Sequence, residues 1–124
     1  MRKDVASCLT SIERTPEGYA AAFTFGPELD VFSGHFPGYP LVPGVFLVEA
    51  VRCAAERATK GPLLIRRVED AKFTAEVGPG EAVAVSAGLT GDGPAWKCDA
   101  RLTSDRGAVA RIRLLLEKEL SGHD

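Results

Sequence analysis

The segment that decides the fold is "PGVFLVEAVRCAAERATKGP", Pro43 to Pro62. Its first half is apolar in every phase of the helical turn, which predicts a helix over about 44–59 that is buried on all sides at its start. Polar residues return further along, so we expect the second half, including Arg52, to reach solvent. The pattern ends at "TKGP", where Gly61 is predicted to be the C-cap and the proline blocks continuation.

Strand patterns lie on both sides of this helix. Two strand candidates precede it and four follow it, at about 5–14, 19–26, 63–77, 81–89, 95–103 and 107–118. The last two alternate strictly between apolar and polar residues, which predicts one buried face on each strand. The predicted buried residues are Trp96, Cys98, Ala100, Leu102, Ala110, Ile112, Leu114 and Leu116. Short turns favour an antiparallel sheet, and the helix is the element that can cover it. The predicted class is therefore α+β, an antiparallel sheet wrapped around one long central helix.

Composition narrows the function classes. The chain has 124 residues, 45% of them hydrophobic and 26% charged, which predicts a single domain over 1–120 and a disordered tail at 121–124. A net charge of −2 without a basic tract argues against a nucleic-acid partner. No apolar run approaches the roughly 18 residues of a membrane-spanning helix, so no membrane association is predicted. A small sheet around one helix keeps open edges, which favours a homodimer or a higher homo-oligomer.

Cysteine usage points to a reducing compartment. Cys8, Cys53 and Cys98 are far apart and odd in number, which predicts a cytoplasmic protein that uses them as small core residues. No Cys/His pair has the spacing of metal ligands. Neither a metal nor a cofactor is therefore predicted.

Two residues before and within the helix could carry chemistry. His35 lies in a loop stiffened by prolines, where it could be a general base or a structural side chain that bonds loop carbonyls. Glu49 is the acid in the apolar half of the helix. It could be a partly exposed carboxylate paired with Arg52, or a buried carboxyl that desolvation keeps uncharged and able to donate a proton. Between them, Gly44 opens the helix, and its bare N–H could receive a carbonyl oxygen as an oxyanion site.

The stretch "HFPGYPLVPGVFLVE", 35–49, resembles the signature H-F-P-G-x-P-x-x-P-G-V-x-x-x-E of the β-hydroxyacyl-acyl-carrier-protein dehydratases, the FabZ/FabA family with the hot-dog fold. The stretch "AKFTAEVGPGEAV", 71–83, is similar to a second segment of that family. The resemblance implies a (3R)-hydroxyacyl-carrier-protein dehydratase of fatty acid or polyketide-type biosynthesis, which converts a 3-hydroxyacyl thioester into a trans-2-enoyl thioester. The acid is Glu rather than Asp, as in the FabZ type.

The resemblance also implies where the site lies. It places the active site between the two chains of a dimer, with His35 from one chain as the base and Glu49 from its mate as the acid. An exchange of these roles, or a relay through water, stays open. The implied substrate-binding residues are Phe36, Pro43, Gly44 and Val45. The family usually opens with a further N-terminal segment that covers the site, so access and chain-length preference are expected to differ here.

The implied partner is an acyl carrier protein that holds the 3-hydroxyacyl chain. Carrier proteins are usually acidic, and Arg66, Arg67 and Lys72 could form a basic patch at the mouth of the site or a solvated strand face. Two other functions are considered: a hot-dog acyl thioesterase, and a non-catalytic subunit that binds the carrier protein or completes another dehydratase.

Overall fold

The computed structural model describes residues 1–34 and 41–119. The predicted site residues His35 and Phe36 lie outside the described residues, as does the tail at 121–124. The elements are α1 (Arg2–Ser7), β1 (Leu9–Arg14), β2 (Gly18–Thr24), α2 (Val31–Gly34), α3 (Gly44–Thr59), β3 (Leu63–Phe73), β4 (Ala82–Thr90), β5 (Ala95–Ser104) and β6 (Gly107–Lys118).

One antiparallel sheet contains all six strands in the order β1-β2-β4-β5-β6-β3. Helix α3 packs against this sheet and contacts strands from both of its ends. Its bounds, Gly44–Thr59, agree with the predicted helix. The α+β architecture predicted from the sequence is therefore confirmed. The single domain over 1–120 stays a prediction.

The strict alternation of β5 and β6 defines the face that meets the helix. Cys98, Ala100 and Leu102 of β5 are buried, and Trp96 is partly buried against the same core. All four predicted residues of β6 are buried. The opposite faces of both strands carry charged side chains, so the alternating residues do separate core from solvent.

The predicted first strand is wrong at its start. Residues Arg2–Ser7 form helix α1, and the strand begins only at Leu9. Val5 and Cys8 are both buried, at 0% and 6% exposure, although they are three residues apart. That spacing suits one face of a helix and not one face of a strand, because strand residues share a face at every second position. Both side chains can therefore point into the core only because this segment is helical.

The ends of α3 and β3 also differ from the prediction. Lys60, not Gly61, adopts the left-handed conformation at the end of α3, with φ 60° and ψ 44°. Gly61 contributes its N–H, which bonds to the carbonyl of Glu56 at 3.3 Å. Strand β3 ends at Phe73 rather than near residue 77, because the N–H groups of Thr74 and Ala75 both converge on the carbonyl of Val109.

Strand β3 lies at one end of the sheet and exposes apolar side chains. Leu64, Val68 and Phe73 have exposures of 40%, 46% and 46%. Val45, at the start of α3, is 53% exposed, so the prediction that the first half of α3 is buried on all sides is wrong. Among the described helices, none combines the length and the apolar character needed to cross a membrane.

Candidate active site

Helix α3 begins at Gly44 with backbone N–H groups that have no acceptor within the helix. Pro43 is its N-cap, in an extended conformation with φ −63° and ψ 146°, and within the described residues no side chain forms a capping hydrogen bond with the helix. The carbonyl of Pro43 accepts the first helical hydrogen bond from the N–H of Phe46 at 2.9 Å. The first N–H groups of a helix have no internal acceptor and carry partial positive charge. The structure thus places the predicted Gly44 amide at a helix N-terminus.

A cavity of about 260 Å³ lies beside Gly44. Its lining residues, among them Leu47, Phe73 and Val77, are apolar apart from Glu76. The ring of Phe73 covers Gly44 closely, because a Cβ at this glycine would lie 2.9 Å from Cζ of that ring. The absence of a side chain at Gly44 therefore keeps the ring and the helix start in contact. Phe73 was not predicted as a site residue, although it stands in the second family-like segment.

Of the other predicted substrate-binding residues, Pro43 and Val45 sit at the same helix start. Pro43 caps the helix and Val45 points outward, with 53% exposure. Glu49 is not among the residues that line the cavity at Gly44. The structure therefore brings Pro43, Gly44 and Val45 together and places Glu49 in a separate, buried environment further along α3.

Glu49 is buried and bonded to Arg52. The two residues have exposures of 5% and 3%. Nε of Arg52 donates to Oε1 and Oε2 of Glu49 at 3.0 and 3.1 Å, and Nη2 donates to Oε2 at 2.6 Å. A planar guanidinium that bonds both oxygens of a carboxylate holds it in a defined orientation. The structure thus combines the two interpretations of Glu49: the carboxyl is buried, and it is paired with Arg52.

Arg52 also ties Glu49 to the sheet. Its Nη1 donates to the carbonyl of Leu63 at 3.0 Å and lies 2.8 Å from Oε2 of Glu56. Glu56 in turn accepts the N–H of Leu63 at 2.9 Å. The predicted solvent exposure of Arg52 is therefore wrong. Its guanidinium bridges two acids of α3 and the first residue of β3.

The contacts between Arg52 and its neighbouring acids determine the charges of these side chains. Burial disfavours the charged guanidinium, but hydrogen bonds and charge from Glu49 and Glu56 outweigh burial and raise the pKa of Arg52 above its ordinary value. A guanidinium can only donate hydrogen bonds, and an ionised carboxylate can only accept them. The geometry at Glu49 therefore suits an ionised carboxylate, and it does not favour the uncharged acid that the second interpretation required.

The three cysteines confirm their predicted place in the core. Cys8, Cys53 and Cys98 are buried free thiols. Burial raises the pKa of the Cys98 thiol to about 12, while a hydrogen bond with Tyr19 opposes the shift. Burial also raises the pKa of Cys53. A thiol is a poor nucleophile until it is ionised, so Cys53 and Cys98 act as packing residues.

Basic residues form a row on the exposed face of the sheet. Lys72 of β3 lies opposite Arg111 of β6, which lies opposite Arg101 of β5. All three are exposed, as are Arg66 and Arg67 of β3. The alternation of β5 and β6 already placed Arg101 and Arg111 on the polar face. Their alignment with Lys72 depends on the strand order, which the sequence did not provide.

Comparison with known proteins gives the family. A family model described as ApeI-like, ApeI dehydratase, matches residues 11–110. A 3-hydroxyacyl-[acyl-carrier-protein] dehydratase FabZ of Wolbachia sp. subsp. Drosophila simulans (strain wRi) is 29% identical over 98 residues, which cover 71% of this chain and 68% of the relative. The FabZ of Jannaschia sp. (strain CCS1) is 36% identical over 86 residues, 60% of this chain and 53% of the relative.

Solved structures show the fold. The dehydratase heterocomplex ApeI:P from Xenorhabdus doucetiae superimposes with a TM-score of 0.75 at 22% identity. The match covers 89% of this chain and 96% of that one. The antiparallel sheet around α3 is thus a hot-dog fold. The family model spans most of the chain, including helix α3 and the whole of strands β2, β3, β4 and β5. The chain therefore belongs to the ApeI-like dehydratase family, the hydro-lyases of the hot-dog fold.

Proposed function

We propose that this dehydratase eliminates water from a (3R)-hydroxyacyl thioester carried by an acyl carrier protein, and that His35 and Glu49 are its catalytic pair. A base removes the α proton, the electrons of that C–H bond form the Cα=Cβ double bond, and the Cβ–O bond breaks. The leaving oxygen takes up a proton, so the products are a trans-2-enoyl thioester and water. A positioned acid or base contributes typically 10²–10⁴-fold to such a reaction.

One observation carries this proposal: a bare helix N-terminus and a buried carboxylate share helix α3. Gly44 opens the helix, and Glu49 follows five residues later, about 7–8 Å along the axis at the rise of an α-helix. A thioester oxygen at the Gly44 amide would gain the stabilisation that oxyanion donors provide as negative charge develops. The apolar cavity beside Gly44 offers space for the uncharged part of the substrate.

We further propose a homodimer or higher homo-oligomer whose site draws His35 from one chain and Glu49 from the other. One feature of the described chain supports the oligomer. Strand β3 ends the sheet with exposed Leu64, Val68 and Phe73, which a partner could cover. Three buried free thiols also fit the reducing conditions of the cytoplasm, which we propose as the location.

The experiment is a mass assay on the purified protein. A 3-hydroxyacyl carrier protein is incubated with it over a panel of acyl lengths, and the mass of the carrier protein is followed. We expect loss of one water. Loss of the whole acyl group would instead identify a thioesterase. An unchanged mass that falls only after a different dehydratase subunit is added would identify a partner subunit.

A substitution at Gly44 tests the helix start. The new Cβ in Gly44→Ala would lie 2.9 Å from Phe73 Cζ, so the ring must move and the cavity wall changes. The backbone N–H stays in place, but we expect kcat/KM to fall about 10²-fold, because a displacement of about 1 Å at a reacting site costs roughly that much. Gly61→Ala is the matched control, because nothing lies within 4 Å of its Cβ and its activity should be unchanged. Equal activities of the two variants would remove Gly44 from the site.

A further inference from the structure

The contacts of Arg52 indicate a role for this residue in catalysis, and this role rests on the proposed function of Glu49. Arg52 uses Nε and Nη2 on Glu49 and Nη1 on the Leu63 carbonyl and Glu56. Surface ion pairs move freely, but this one is buried at both ends, with side-chain exposures of 4% and 6%. Because the guanidinium is fixed to the first residue of β3, it can fix the carboxylate in turn.

We propose that Arg52 is a positioning residue, which holds Glu49 as an anion in one orientation for the dehydration reaction. An ionised carboxylate accepts hydrogen bonds and protons and has none to give. Glu49 therefore enters the reaction as the acceptor of the α proton, and His35, the other member of the proposed pair, gives the proton that the leaving hydroxyl takes up as water. This differs from the role of proton donor that the sequence resemblance implied for Glu49.

The surroundings of Glu49 support an anion. Within the described residues, Arg52 bonds Glu49 directly, and the thiol of Cys53 interacts with it from one turn further along α3. The Cys53 thiol is kept protonated by burial, which raises its pKa, so it adds no negative charge beside Glu49. Strand β3 contributes the Leu63 carbonyl, which binds the guanidinium rather than the carboxylate. The one full charge in direct contact with Glu49, within the described part of the chain, is thus the cation of Arg52.

Activity measurements on position 52 provide the first test. Arg52→Gln should lower kcat about 10²-fold with little change in KM, since misplacement of a reacting group costs about that much. Arg52→Lys keeps the charge without the planar fork and should recover part of the loss. Arg57→Gln, in the exposed last turn of the same helix, is the matched control and should match the wild type. A folded Arg52→Gln or Arg52→Lys variant with wild-type kcat overturns the proposal.

A double variant separates positioning from a general structural effect. If Arg52 acts through Glu49, adding Arg52→Gln to Glu49→Gln should lower kcat no further than Glu49→Gln alone. If the two losses multiply, Arg52 acts independently of Glu49 and the proposal fails. Wild-type enzyme that eliminates water, inactive Glu49→Gln and fully active Arg52→Gln would together reject the role of Arg52 while the proposed function stands.

Infrared spectroscopy tests the charge without relying on catalysis. At neutral pH exposed acids are ionised, so a protonated carboxyl would add a carbonyl stretch in an otherwise clear region. We expect the difference between wild type and Glu49→Gln to show loss of a carboxylate band only. Loss of a protonated-carboxyl band would overturn the proposal. The infrared spectrum can be measured even if the protein is inactive on every acyl substrate. It therefore tests the charge of Glu49 independently of the proposed function.

Discussion

Glu49→Gln is expected to lower kcat for dehydration by about 10²–10⁴-fold, the usual contribution of a positioned acid or base. The amide is close in size to the carboxyl and can still accept a hydrogen bond from Arg52, but it carries no charge and takes up no proton. The measurement is the single-turnover and steady-state rate of enoyl thioester formation, under saturating substrate.

The variant should remain folded, which makes the loss of activity interpretable. Arg52 keeps two acceptors in Glu49→Gln, because Glu56 and the Leu63 carbonyl still contact its Nη1. The guanidinium is therefore not left as an unpaired buried charge, which would strongly destabilise the fold. Circular dichroism and urea unfolding should confirm a native fold.

Glu56→Gln is the matched control for Glu49→Gln. It removes a carboxylate from the same helix and the same arginine, but at a side chain that is 28% exposed and lies about two turns further along α3. Its activity should stay within a few-fold of the wild type. A folded Glu49→Gln protein within twofold of wild-type activity would remove Glu49 from the catalytic pair.

Arg52→Met is expected to lower the free energy of unfolding by about 3–5 kcal/mol, the usual cost of breaking a buried ion pair from one side. The substitution leaves Glu49 buried at 5% exposure with a charge and no guanidinium beside it, and it also frees the Leu63 carbonyl. Such a loss is a large part of the 5–15 kcal/mol that stabilises a typical domain. Urea unfolding followed by tryptophan fluorescence measures it.

Two further variants define the origin of that loss. Arg57→Met changes an exposed arginine of the same helix and should stay within about 0.5 kcal/mol of the wild type. The double variant Glu49→Met/Arg52→Met removes both charges and should recover most of the stability, since an apolar pair often replaces a buried ion pair at little cost. A loss below about 1 kcal/mol for Arg52→Met, the average for point substitutions, would show that the pair is not strongly coupled to folding.

Local patterns in the sequence predicted much of the fold. The apolar run that starts at Gly44 and the "TKGP" ending gave α3 its observed bounds. Strict alternation gave the buried faces of β5 and β6, because a residue's position along a strand already determines the face on which it lies. Residues 5–7, which belong to helix α1, were predicted as the start of a strand, since Val5 and Cys8 share a face only once the helical turn exists.

The sequence from Pro43 to Glu49 was enough to predict that the Gly44 amide and the Glu49 carboxyl lie on one helix. This prediction depends only on recognising the helix. Tertiary structure decided what surrounds them. Spacing of three residues fits an exposed Glu49–Arg52 pair as well as a buried one, and the choice came from Leu63 of β3, whose carbonyl holds the guanidinium inside. The contact of Phe73 with Gly44 is likewise a tertiary contact, between residues that are far apart in the sequence. Burial and hydrogen-bond partners set the charge of a side chain, and both are supplied by residues distant along the chain.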